Sequence, residues 1–223
     1  MSNLYPTILT GSRSTFIDQV RLVRTFPDVK TVQVDVIDGL VADNLTLSPA
    51  DLLDVEFYDL SLDFHLMVEE PLDYLYEILE YQSHLPVRGV LGQLERMSNQ
   101  REFIELTRGS KLWAGLSLDL FTPLEEIDQQ ALSQLNLIQL MSVEMGFQGQ
   151  QFNSSIFAKL TQLVQLKREF GYPFEIVIDG GVNKENFLQL LKTGADSLAV
   201  GSWLWKNNNP QQVVEMITKA LIQ

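Results

Sequence analysis

Asp35 lies inside the run Val32-Gln33-Val34-Asp35-Val36-Ile37, where only Gln33 is also polar. A carboxylate in a valine-rich strand costs several kcal/mol unless something pairs with it, and the run holds no basic residue. His65 stands in a similar setting, Leu62-Asp63-Phe64-His65-Leu66-Met67, and Asp179 closes Ile176-Val177-Ile178-Asp179 ahead of Gly180-Gly181. Taken singly, His65 reads as a hydrogen-bonded core histidine and Asp179 as turn chemistry. Together they are one imidazole and two carboxylates, a set that suits a divalent ion such as Zn, Mn or Fe. Asp38, just before Gly39, reads as a turn residue.

A second group of residues suits an anion. Gly146-Phe147-Gln148-Gly149, Gly180-Gly181 and Gly201-Ser202 each follow a β-rich run. Glycines let the backbone approach closely and turn N–H groups toward a phosphate.

The elements that must carry these residues follow from the hydrophobic pattern. Strand-like runs fall at residues 5–9, 31–37, 60–67, 87–91, 111–118, 137–141, 174–178 and 197–200. Helical patterns fall at 16–25, 71–81, 100–107, 124–132, 155–170, 184–191 and 210–222, with a weak one at 49–53. Alternating βα units predict a parallel sheet, and eight of them predict a (β/α)8 TIM barrel, with residues 1–223 as a single domain. A doubly wound open sheet is the alternative, but its usual glycine-rich dinucleotide turn is missing after the first strand, which runs into Thr10-Gly11-Ser12-Arg13. Side chains alternate across a strand, so Gln33 and Asp35, His65 and Met67, and Val177 and Asp179 share the inward faces of strands two, three and seven. The C-terminal ends of barrel strands are where such enzymes keep their active sites, and the last loops often hold phosphate.

Composition narrows the field further. The chain has no cysteine and two histidines, which removes thiolate chemistry and limits any metal site to two imidazoles. Of those two, His84 falls on a connecting segment and reads as a solvated cap, while Trp113 reads as core. With 29 acidic against 16 basic residues, a net charge of -13 argues against a nucleic-acid partner. No run reaches about 18 apolar residues and no basic, apolar leader opens the chain, so a cytoplasmic protein without a membrane partner is expected. Outward apolar surface is compatible with a homo-oligomer.

These residues, in this order, resemble the ribulose-phosphate 3-epimerase family. The resemblance is carried by Val34-Asp35-Val36-Ile37-Asp38-Gly39, Asp63-Phe64-His65-Leu66-Met67-Val68, Met141-Ser142-Val143 with Gly146-Phe147-Gln148-Gly149-Gln150, and Ile178-Asp179-Gly180-Gly181-Val182. Pro6-Thr7-Ile8-Leu9 at the start and Gly194-Ala195-Asp196 to Gly201-Ser202 at the end fit the same family. It implies a metal-dependent barrel that inverts C3 of a ketose phosphate, D-ribulose 5-phosphate to D-xylulose 5-phosphate, through an enediolate. Asp35 and Asp179 then stand at the family's proton-transfer positions, and Asp35, His65, Asp179 and Gln33 at its metal positions, for Zn, Mn, Fe or Co. Met67 and Met141 match its apolar cap, and Thr7, Gly146, Gly149, Gly180, Gly181, Gly201 and Ser202 complete the implied substrate-binding set.

The departures are specific. The family has a histidine where Gln33 stands, and an amide carbonyl is a weaker zinc ligand than imidazole. Glu144-Met145 replaces Asn-Pro, Gln148 replaces a glycine, a change expected to alter the backbone angle there, and Leu91-Gly92-Gln93-Leu94-Glu95 lacks a histidine. After strand five, Asp119-Leu120-Phe121-Thr122-Pro123 keeps only the Thr-Pro. Glu144 and Asp119 would add negative charge at the mouth. Two alternatives therefore stand beside the first reading: an epimerase for another sugar phosphate, such as allulose 6-phosphate, suggested by Gln148, Trp203 and Trp205, or a catalytically impaired barrel that acts as a sugar-phosphate-binding or regulatory protein.

Overall fold

Eight strands pair in parallel, each with its sequence neighbours, and the first closes on the last. The computed structural model describes residues 3–222; Met1, Ser2 and Gln223 lie outside the described residues. The strands are Leu4–Ile8 (β1), Thr31–Ile37 (β2), Ser61–Met67 (β3), Val87–Gln93 (β4), Trp113–Leu118 (β5), Leu137–Met141 (β6), Glu175–Asp179 (β7) and Ser197–Val200 (β8). The helices are Arg13–Val23 (α1), Pro71–Tyr81 (α2), Gln100–Gly109 (α3), Ile156–Phe170 (α4), Phe187–Thr193 (α5), Ser202–Trp205 (α6) and Pro210–Leu221 (α7). This is the (β/α)8 barrel that the repeat predicts. No helix among the described residues is long and apolar enough to cross a membrane.

The outward faces of the strands and the inward stripes of the helices make one apolar shell. Phe16, Phe64, Phe103 and Phe174 are fully buried in it, and burial of such a side chain contributes about 1.5–3 kcal/mol. The barrel interior is layered differently. Tyr5, Leu91, Leu137, Val177 and Ala199 form an apolar layer at mid-height. Below it a polar network closes the bottom: Arg88 binds both oxygens of Asp63, Tyr5 Oη donates to Glu175 Oε1 at 2.9 Å, and Ser197 Oγ donates to the same oxygen. Above it lies the polar layer that carries the site.

Several local expectations are corrected. Residues 124–132 form no α-helix but two 3-10 turns, Leu124–Glu126 and Leu132–Gln134. Asp128 interrupts the pattern, because its carboxylate accepts from Gln130 N at 2.9 Å and from Arg101, and a short acidic side chain bound to nearby backbone competes with helix. The fifth strand starts at Trp113 rather than 111, since Lys111 takes a left-handed φ of +63° that a strand cannot contain. Trp113 is not core: it is 36% exposed at the bottom rim, with the Arg88 guanidinium 4.2 Å from its ring centre. α5 begins late because the Asn186 side chain accepts from Asn183 N and the Asn183 side chain from Glu185 N, both at 2.8 Å, forming a turn first. α6, right after Gly201, has no counterpart among the expected helices.

Candidate active site

β2 and β3 pair without slippage over their whole length, so Asp35 faces His65 and Gln33 faces Asp63. β6 and β7 set Met141 beside Asp179. Asp35, His65 and Asp179 therefore meet from three strands, all buried, with one potential ligand atom from each lying within 4.8 Å of the others. His65 is wholly buried and its Nδ1 stands 3.2 Å from Asp35 Oδ1. Gln33 joins them in an unexpected manner. Its Nε2 donates to Asp35 Oδ1 at 2.9 Å and to Asp179 Oδ2 at 2.7 Å, spanning the two carboxylates with its nitrogen rather than its oxygen.

Two further glutamines complete the layer. Gln93, at the end of β4, donates Nε2 to Glu95 Oε2 at 2.8 Å, which turns its carbonyl to His65 Nε2 at 3.2 Å. The imidazole thus carries a proton on Nε2, leaving Nδ1 to face the carboxylates. Gln139, in the middle of β6, donates Nε2 to Asp179 Oδ2 at 3.0 Å and lies 3.2 Å from His65 Nδ1. Neither Gln139 nor the role of Gln93 is drawn from the sequence pattern above. Both were accessible to it: Gln139 is the lone polar residue of Leu137-Ile138-Gln139-Leu140-Met141, and extending strand four by two residues puts Gln93 on the face of Leu91.

Electrostatics follow from burial. Burial pushes the Asp179 carboxyl up, the charge of Asp35 raises it further, and His65 and Gln33 offset only part of this. For His65 burial by itself favours the neutral ring, but the hydrogen bond and charge of Asp35 outweigh it and the net direction is up.

The donor set fits a divalent cation. Two carboxylates and one imidazole nitrogen converge, and the second imidazole nitrogen is held by a carbonyl, the usual support of a metal-binding histidine. Gln33 could add its carbonyl only by a half-turn of its amide.

Above this layer the mouth is lined by Asp35, Asp179, Thr7, Met67, Met141, Gly146, Gly149, Gly180, Gly181, Gly201 and Ser202, so the structure brings the expected substrate-side residues around one cavity. His65 and Gln33 lie buried beneath it. Gly180 needs its lack of a side chain: its φ is +99°, and a Cβ would sit 2.5 Å from Val143 Cγ2. Gly201 needs it for a different reason, since a Cβ there would be 2.5 Å from Thr7 Oγ1 and 2.7 Å from Gln148 Nε2. Gln148 itself has no left-handed backbone. Its side chain instead reaches across the mouth to Thr7 O, 3.4 Å away. Trp205 Nε1 donates to that same carbonyl at 2.7 Å, and Trp203 packs on Phe187. Glu144 lines the mouth, whereas Asp119 faces a neighbouring cavity and is pushed up to about 6, chiefly by burial and then by Glu95. Asp38 is turn chemistry, accepting from Leu40 N and Glu69 N, and His84 is exposed on its connecting segment.

Residues 3–205 match the model of the ribulose-phosphate 3 epimerase family. The ribulose-phosphate 3-epimerase of Bacillus subtilis is 27% identical over 219 residues, covering 97% of this chain and 98% of its own length. The chloroplastic ribulose-5-phosphate-3-epimerase of Arabidopsis thaliana is 32% identical over 204 residues, covering 88% of this chain and 69% of its own. Among solved structures, a tryptophan synthase alpha-subunit from Pyrococcus furiosus superposes with a TM-score of 0.67 at 14% identity, covering 98% of this chain and 96% of that one. At that identity the likeness speaks for the barrel alone.

Proposed function

The chain belongs to the ribulose-phosphate 3-epimerase family of isomerases, and from that premise we propose that it inverts C3 of D-ribulose 5-phosphate to give D-xylulose 5-phosphate. The observation that carries this reading is the buried pair Asp35 and Asp179, both open to one mouth that is flanked by Met67 and Met141.

Asp35 and Asp179 come from β2 and β7 and approach a bound sugar from different sides. One carboxylate takes the C3 proton, and the other returns a proton to the opposite face; the reverse reaction exchanges their roles. Met67 and Met141 supply an apolar wall for the flat enediolate between these steps and keep water from it. Thr7, Gly146, Gly149, Gly180, Gly181, Gly201 and Ser202 fix the phosphate end, so that C3 rests between the carboxylates. Asp35, His65 and Asp179 would hold a divalent ion (Zn, Mn, Fe or Co), with Gln33 as a fourth ligand through its carbonyl. When bound, the ion supplies Lewis-acid stabilisation of the negative charge that develops on the sugar oxygens. The 1–223 chain acts as one barrel domain in this scheme.

Gln148 favours a second reading, in which the same proton transfers act on a six-carbon ketose phosphate. Its side chain crosses the phosphate-end loops and changes the space left for the sugar. A substrate panel separates the two. The first reading expects kcat/KM on ribulose 5-phosphate to exceed that on allulose 6-phosphate by at least about tenfold, a difference within reach of a single pocket contact. The reverse order would move the assignment to the hexulose. Stoichiometric binding of either sugar without turnover would leave a binding barrel.

A further inference from the structure

We propose that Gln33 and Gln139 are built-in hydrogen-bond donors to the Asp35–Asp179 pair, which hold the two carboxylates in place without a cation, and that Gln139 is a positioning residue against which an entering divalent ion must compete. The inference rests on reading Asp35, His65 and Asp179 as a centre able to take such an ion.

Two like-charged groups facing one another in a buried site repel, and something positive or hydrogen-donating must offset them. Here the offset is already present in the side chains. Gln33 Nε2 has two protons and two carboxylate acceptors, at 2.9 and 2.7 Å. Gln139 Nε2 places one proton on Asp179 Oδ2 at 3.0 Å and lies within reach of His65 Nδ1 at 3.2 Å. Asp179 Oδ2 therefore accepts from both amides. The orientation of each amide is set by its surroundings, since turning either one would press a carbonyl oxygen against a carboxylate.

Gln139 bears a visible cost for this. It is wholly buried, and its Oε1 has no hydrogen-bond partner. A buried carbonyl without a donor is unfavourable, and a leucine of similar size would avoid it. The donor end of the side chain is what position 139 contributes. A divalent ion that takes Asp179 Oδ2 as its ligand competes with the two amides for the lone pairs of that oxygen. Its binding is weakened by every N–H bond it displaces.

The test uses the full chain stripped of metal with a chelator and then titrated with Mn2+, followed by calorimetry and by thermal melting. Gln139→Leu should bind Mn2+ about tenfold more tightly than the parent, because one competing donor is gone. Its stripped form should melt lower than the stripped parent, and Mn2+ should close most of that gap. Gln139→Met, which fills the same volume, should behave alike and guards against a packing defect peculiar to leucine. Unchanged or weaker Mn2+ affinity in both variants would overturn the proposal; weaker affinity would make Gln139 a ligand instead. None of these readouts depends on turnover or on which sugar is the substrate, so this proposal and the epimerase reading can fail separately.

Discussion

Asp179→Asn preserves size and removes a proton acceptor, so it tests the residue on which the proposed chemistry leans most. Its kcat should fall by about 10²–10⁴-fold, the usual contribution of a positioned acid or base, and that of Asp35→Asn by the same amount. Far-ultraviolet circular dichroism should remain that of the parent, because both side chains end in the mouth rather than in the apolar shell. Gln148→Gly addresses the sugar end. Removing a side chain that lies against Gly201 and reaches Thr7 should shift the ratio of kcat/KM values toward ribulose 5-phosphate by about tenfold, a size in keeping with one altered pocket contact. An unchanged ratio would show that Gln148 does not set substrate size. At this scale the sequence was most informative where a polar residue interrupts an apolar strand. Asp35, His65 and Asp179 are visible in that way, and so in principle is Gln139. Which end of the Gln33 amide faces the carboxylates was not legible, because it depends on partners that are distant in sequence.

At the scale of the elements, the bottom of the barrel sets the strand positions on which the top depends. Arg88 and Asp63 form a hydrogen-bonded pair under the apolar layer, with Tyr5 Oη 3.3 Å from the Arg88 guanidinium. Arg88→Met leaves the Asp63 carboxylate buried at 2% exposure without its partner, and urea unfolding should show a loss of about 3–5 kcal/mol. A loss below about 1 kcal/mol would mean that solvent reaches Asp63 and the network is not a plug. The strand–helix alternation was readable because each period buries one face, and the register of β2 on β3 follows from seven paired residues. The boundaries were less readable where a side chain takes over a backbone bond. Asp128 breaks the expected 124–132 helix, and Asn183 and Asn186 delay α5. Trp113 departs from the core expected of an apolar strand residue because, at the rim, it meets a guanidinium instead of a helix.

For the whole molecule, the acid excess of a chain with net charge -13 has one local expression with a defined pH dependence. Asp119 is pushed up to about 6 in the folded protein by burial and by Glu95. A carboxyl whose folded pKa is raised adds stability only while it is protonated. That contribution is present below the unfolded value of 3.8 and is lost as pH rises through about 6. Asp119→Asn should therefore match the parent in unfolding free energy near pH 4 and exceed it by about 1 kcal/mol at pH 7, a figure discounted for the partial exposure of the group. An equal difference at both pH values would contradict this origin. The claim that joins residues, strands and barrel is that Asp35 and Asp179 exchange protons with opposite faces of C3. It is tested most directly by supplying the protein with ribulose 5-phosphate and a divalent ion in D2O and following C3 by NMR. Deuterium should appear at C3 of the xylulose 5-phosphate formed and, with time, of the remaining substrate. Product that keeps protium at C3, or no exchange with any of Zn, Mn, Fe or Co, would contradict it.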